Sequence, residues 1–121
     1  MIVKNKTMMD AGCILFTRKQ EGTGLGIGTE LGQLLAHLKE FGKVERIDDL
    51  DASATPRKLR DYDFLLNAGG LLCTSYLAVK LEDAGQGRYA ISLYATPNRR
   101  TNKIIARLKE LYNEIISSSL D

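Results

Sequence analysis

Asp61-Tyr62-Asp63-Phe64-Leu65-Leu66-Asn67-Ala68-Gly69-Gly70, with the apolar stretch Leu71 to Ala84 behind it, decides how this chain folds. Two acids, an apolar burst and a glycine pair read as a strand over 63–68 and its exit turn. The acids and aromatics are mediocre helix formers, and Gly69-Gly70 breaks regular structure. Residues 71–84 read two ways. As a helix the segment buries Leu72, Tyr76, Leu77 and Val79; as a strand, Leu77, Val79 and Leu81 alternate with Tyr76, Ala78 and Lys80.

Downstream, Gly85-Gln86-Gly87 is a turn under either reading, and Tyr89 to Tyr94 is a strand ended by Thr96-Pro97-Asn98. Ile104, Ile105, Leu108, Leu111, Tyr112, Ile115 and Ile116 then form one broad face of an amphipathic helix. Upstream, Cys13-Ile14-Leu15-Phe16-Thr17 is a short apolar run suited to a buried strand. The glycine-rich loop follows at 22–28, holding four of the chain's 11 glycines. Leu31, Leu34, Leu35, Leu38 and Phe41 trace a helical stripe, with Thr29 as its N-cap, Glu30 in the first turn and Gly42 as its stop. Residues 43–48 read as an edge strand or as a short helix on Val44, Ile47 and Leu50. Thr55-Pro56 starts a short helical segment that turns Leu59 inward.

Two architectures fit this order. Strands at about 12–17, 43–48, 63–68 and 88–95, each followed by a helix, specify an α/β fold: a small, mostly parallel, Rossmann-like sheet with helices on both faces. Such folds bind ligands beyond the carboxyl ends of their strands. The glycine run, Asn67-Ala68-Gly69-Gly70 and Ala95-Thr96-Pro97-Asn98 would all lie there. The alternative is a winged helix-turn-helix, with a recognition helix at 56–68 and a wing at about 75–94. That arrangement leaves 1–28 without a role and sets Asp61 and Asp63 against phosphate.

Composition narrows the chemistry. The 121 residues make one domain's worth of chain, 44% hydrophobic and 26% charged, with a net charge of +2. No apolar run approaches the ~20 residues of a membrane helix. Met1 to Lys6 lacks the apolar core of a secretory signal. The expectation is a soluble cytoplasmic protein. Cys13 and Cys73 sit in apolar stretches and read as buried thiols. His37 is the only histidine, which rules out a multi-histidine zinc site in one chain, and it reads as structural rather than as a base. Neither a metal nor a cofactor is expected. Asp48, Asp49 and Asp51 read as a solvated loop rather than a cation site.

Residues 13–42 resemble the opening of the N-terminal domain of GT-B glycosyltransferases, the retaining group typified by family 4. There an apolar strand runs into a glycine-rich loop and a long amphipathic helix. The matching residues are Ile14-Leu15-Phe16-Thr17-Arg18-Lys19, Gly24-Leu25-Gly26-Ile27-Gly28-Thr29-Glu30-Leu31 and the helix to Gly42. Tyr62 to Gly70 is similar to that family's third strand and its exit, and Ile91 to Pro97 to the next strand and its glycan-side loop. The resemblance implies a Rossmann-like domain that binds an anionic small molecule or a glycan acceptor. The family's donor-binding domain has no counterpart here, and Tyr94-Ala95 replaces the histidine often found after the fourth strand. A half-site of this kind is catalytically incomplete alone and implies a donor-binding partner subunit. A weaker resemblance to winged-helix regulators implies DNA as partner.

The candidate ligand site is therefore Gly24, Gly26, Gly28 and Thr29, whose amides and helix start would cradle phosphate, with Asn67, Gly69, Gly70 and Thr96 across the crevice. The glycines do not give the spacing of a P-loop or of a dinucleotide fingerprint. Under the DNA reading, Arg57, Lys58, Arg60, Arg99, Arg100 and Lys103 would contact nucleic acid. No acid falls between 98 and 109. The apolar face of 104–116 is a core face that also has the width for a homodimer contact.

Overall fold

The alternation of Leu77, Val79 and Leu81 prevails over the helical reading of their segment. In a computed structural model, which describes residues 8–17, 27–51, 53, 55–69 and 74–120 and their side chains as far as Tyr112, this segment is a strand. The elements in chain order are β1 (Met9–Thr17), α1 (Ile27–Lys39), β2 (Lys43–Arg46), β3 (Phe64–Asn67), β4 (Tyr76–Gly85), β5 (Arg88–Ala95) and α2 (Arg99–Leu120). Between β2 and β3, 3-10 helix is found among the described residues at Ile47–Asp49 and at Arg57–Asp61. The strands form one sheet in the order β1-β5-β4-β3-β2, and every neighbouring pair is antiparallel.

Connection length explains that direction. Parallel neighbours need a crossover of about a dozen or more residues, usually a helix. Only residues 68–75 separate β3 from β4. Between β4 and β5, Gln86 and Gly87 turn with φ of 57° and 75°, the pair of left-handed conformations that a two-residue hairpin requires. The expectation of a mostly parallel, Rossmann-like sheet with helices on both faces is thereby overturned. The winged-helix alternative fails at its recognition helix, because 56–68 holds a 3-10 turn and then strand β3. Its proposed wing at 75–94 does contain an antiparallel pair, but as two central strands of the sheet.

Both helices pack on the same face. The inward residues Ile14, Phe16, Phe64, Leu66, Leu77, Val79, Leu81, Ile91 and Leu93 meet Leu34 and Leu38 of α1 and Ile104, Ile105, Leu108 and Tyr112 of α2 in one core. The Phe16 ring lies 4.5 Å from that of Tyr112 and 5.4 Å from that of Tyr89, centroid to centroid. His37 sets its ring edge-on to Tyr112 at 5.9 Å. As far as side chains are described, the face expected at 104–116 is spent on this core. Thr29 lies in the first turn of α1 rather than at its cap, because the helix already begins at Ile27.

The opposite face is only partly covered. Leu65, Tyr76 and Ala78 are roofed by Ile47 and Leu59 of the 3-10 segments and by Leu50, which caps the first of them. The roof does not reach β1, so Leu15 remains 69% exposed. Cys13, read from sequence as buried, is exposed there as well, because it points away from the helices on a strand at the sheet's edge. His37 lies beyond the opposite face, so the two cannot form a catalytic pair. Cys73 lies outside the described residues. No described helix is long and apolar enough to cross a membrane.

Candidate functional site

Antiparallel order sends the ends of β3 and β5 and the start of β4 to one rim of the sheet: Asn67 pairs with Tyr76, and Leu77 with Ala95. The residues that leave this rim are tied together by their own polar groups. The Ala68 amide donates to the Ser75 carbonyl at 2.9 Å, and the Gly69 amide to Asn67 Oδ1 at 3.1 Å. Thr96 bonds to Tyr76 in both directions: its amide donates to the Tyr76 carbonyl at 3.0 Å, and its hydroxyl accepts from the Tyr76 amide at 3.3 Å.

The start of α2 is fastened to the same rim. Asn98 is its N-cap: Oδ1 accepts from the Thr101 amide at 2.9 Å. The Asn98 amide to Thr101 Oγ1 bond at 3.3 Å returns the contact, and the Thr101 hydroxyl donates to the Thr96 carbonyl at 2.5 Å. The cap's Nδ2 donates to Ser75 Oγ at 3.0 Å and to the Thr74 carbonyl at 3.1 Å. Every polar atom of the Asn98 side chain is engaged, so this turn is preorganised.

Arg99, Arg100 and Lys103 project from this fixed start, all exposed, with no acid in the first turn. Asn98 and these cations line a concavity of about 590 Å³. A helix N-terminus carries roughly +0.5 of an elementary charge, so each nearby cation costs about 0.3–1 kcal/mol at an exposed site. The free chain bears that repulsion, and a bound anion relieves it.

The sequence-derived site residues divide between several places. Asn67, Gly69, Thr96, Arg99, Arg100 and Lys103 gather at this rim. Gly28 and Thr29 do not: α1 starts beside the other rim, where Leu31 lines a small pocket with Arg46, Asp63 and Phe64. It ends here, with Gly42 against the Asn67 carbonyl. Thirteen residues of helix, about 20 Å at 1.5 Å per residue, separate the two ends. Gly24, Gly26 and Gly70 lie outside the described residues. Arg57, Lys58 and Arg60 belong to the roof on the face away from the helices, and Lys58 Nζ lies 5.1 Å from the centre of the Tyr94 ring. Among the described residues no group of His, Cys, Asp and Glu is placed to hold a metal ion.

Sequence reasoning named Asn98 only as the end of a ligand-side loop, and missed Thr101 and Ser75. A signal for the first two exists: asparagine three residues before threonine, just ahead of a helical stripe, is the pattern of a reciprocal cap. Ser75 carries no local signal, because its partner is 23 positions away. The fold and rim describe an α+β domain, one antiparallel sheet with its helices on one side and a basic helix start at one end. Comparison with known protein families, with curated proteins and with solved structures gave no match.

Proposed function

We propose that this chain is an anion-binding module that seats a phosphate-bearing small molecule at the start of α2. The observation that carries the reading is the convergence of Arg99, Arg100 and Lys103 on the positive end of a helix, around a concavity of about 590 Å³. That volume is in the range of small-molecule sites. The guanidinium groups offer paired donors that suit phosphate oxygens. The amides of Arg99 and Arg100, in the first turn, have no carbonyl of their own helix to bond. The anionic ligand expected from sequence is retained. The sugar-transfer crevice is not, because it required Gly28 and Thr29 beside Asn67 and Thr96.

Calorimetric titration with inorganic diphosphate, adenosine diphosphate and a uridine diphosphate sugar tests the reading. Binding that weakens with added salt, and that disappears in the Arg99→Ala/Arg100→Ala double variant while the fold persists, is expected. Absence of binding by all of these at millimolar concentration, or equal binding by the double variant, refutes it.

A further inference from the structure

The outer side of α2 carries a basic track with a defined end. At about 100° of turn per residue, Arg99, Arg100, Lys103 and Arg107 fall within an arc of roughly 100°, and all four are exposed. Arg99, Arg100 and Lys103 line the concavity of about 590 Å³, and no described residue forms an ion pair with any of them. Arg107 differs: its guanidinium donates to Glu110 Oε2 at 3.2 Å. Glu110 is the first acid after Asn98. Helical side chains lean towards the helix start, so an unpaired Arg107 would reach towards Lys103. The bond to Glu110, one turn further on, draws it the other way. Lys109 does not prolong the track, because it lines a separate concavity with Met9 and Asp10 on another flank of the helix. The open positive stretch therefore runs from Arg99 to Lys103, about 6 Å along the axis at 1.5 Å per residue. Beyond it stand a neutralised arginine and a carboxylate.

Resting on the anion-binding reading above, we propose that the ligand presents two linked phosphate groups, as a diphosphate or a diphosphate ester lying along α2, and that Glu110 sets this chain length. Two linked phosphates span the open stretch and face its three cations. A single phosphate leaves part of the stretch unanswered. A third phosphate extends past Lys103, gains no free cation and meets the Glu110 carboxylate. Chain length is thus selected by a repulsive group as well as by attractive ones.

Calorimetric titration of the full chain with orthophosphate, diphosphate and tripolyphosphate, without divalent cations, tests this. Diphosphate should bind about tenfold or more tightly than orthophosphate. Tripolyphosphate should bind no more than about threefold more tightly than diphosphate. Glu110→Gln frees Arg107 and should raise the affinity for tripolyphosphate about threefold, the worth of an exposed pair, while leaving diphosphate unchanged. Arg107→Gln leaves Glu110 uncompensated and should weaken tripolyphosphate alone. Asp49→Asn, the same change of charge on the roof, should alter neither. All three positions are exposed, so the variants keep the fold. The proposal is overturned by a larger advantage of tripolyphosphate over diphosphate in the wild-type chain, by a ratio of the two affinities that Glu110→Gln leaves unmoved, or by an equal gain in Asp49→Asn. Those outcomes leave the anion-binding reading standing; no binding by any of the three phosphates removes both.

Discussion

The side-chain amide of Asn98 donates to the Ser75 hydroxyl at 3.0 Å, joining the first turn of α2 to the residue just ahead of β4. The same side chain caps the helix through its oxygen. Asn98→Ala removes both functions and should cost about 1–3 kcal/mol, a lost cap plus the lost hydrogen bonds to the Ser75 hydroxyl and the Thr74 carbonyl. Asn98→Asp keeps the acceptor and loses the donor, so it should fall between wild type and alanine. Urea denaturation midpoints at neutral pH check the ranking.

Gly42 is held to glycine by close approach. A Cβ there would stand 2.5 Å from the Asn67 carbonyl oxygen and 3.1 Å from Ala68 Cα, both backbone atoms that cannot swing aside. Gly42→Ala should therefore force β2 and β3 apart and destabilise the chain by about 1–3 kcal/mol, the usual range for overpacking. Thermal unfolding measures the loss. Gly32→Ala, where an added Cβ meets nothing within 4 Å, is the matched control and should not destabilise.

The β4–β5 hairpin carries a residue poorly suited to its backbone. Gln86 sits at φ 57°, where a Cβ is crowded by the carbonyl and the cost for an ordinary L-residue is roughly 1–2 kcal/mol. Asparagine tolerates this conformation and is favoured before glycine in such turns. Gln86→Asn should raise the stability by up to about 1 kcal/mol. An unchanged or lower unfolding midpoint would count against the turn geometry.

Tyr62 supplies an alkaline signature. Burial raises its phenol above the ordinary value of 10.0; the Asp10 carboxylate and Tyr94 act in the same direction, against the Lys80 ammonium. The folded state thus holds the proton more tightly than the unfolded state. Its contribution to stability is complete below the unfolded value and is lost as pH climbs from there through the folded one. Lys80 is also raised, chiefly by its hydrogen bond to Glu82, and works in the same sense. Comparison with Tyr62→Phe cancels it. The wild-type melting temperature should fall more steeply than that of Tyr62→Phe above about pH 10, and equal slopes would rule the effect out.

Much of the secondary structure could be read locally. The stripe through Leu31, Leu34 and Leu38 and the broad face through Ile104 and Leu108 are both helical and both buried in the core. Leu59 turns inward from its short helical segment, at 1% exposure. The Gly85-Gln86-Gly87 turn closes a hairpin. Residues 71–84 were ambiguous because Leu77 and Val79 suit either period. The exposure of Cys13 was hidden for a related reason: an apolar run does not say whether both faces of its strand are covered. The candidate site was half visible. Asn67, Thr96, Arg99, Arg100 and Lys103 share a rim, whereas Arg57, Lys58 and Arg60 lie on the roof and the first turn of α1 belongs at the other end of the sheet.

By itself the sequence determined the periodicities, and with them the two helices, the strand at 89–94 and the tight turn, because backbone geometry and side-chain alternation act over a few neighbouring residues. Only the tertiary structure decided strand direction, strand order and the rim to which each loop is delivered. An alternating strand has the same pattern beside a parallel or an antiparallel neighbour. The choice was made by joining β3 to β4 and β4 to β5 through connections too short for a crossover, which left α1 and α2 to cover a single face.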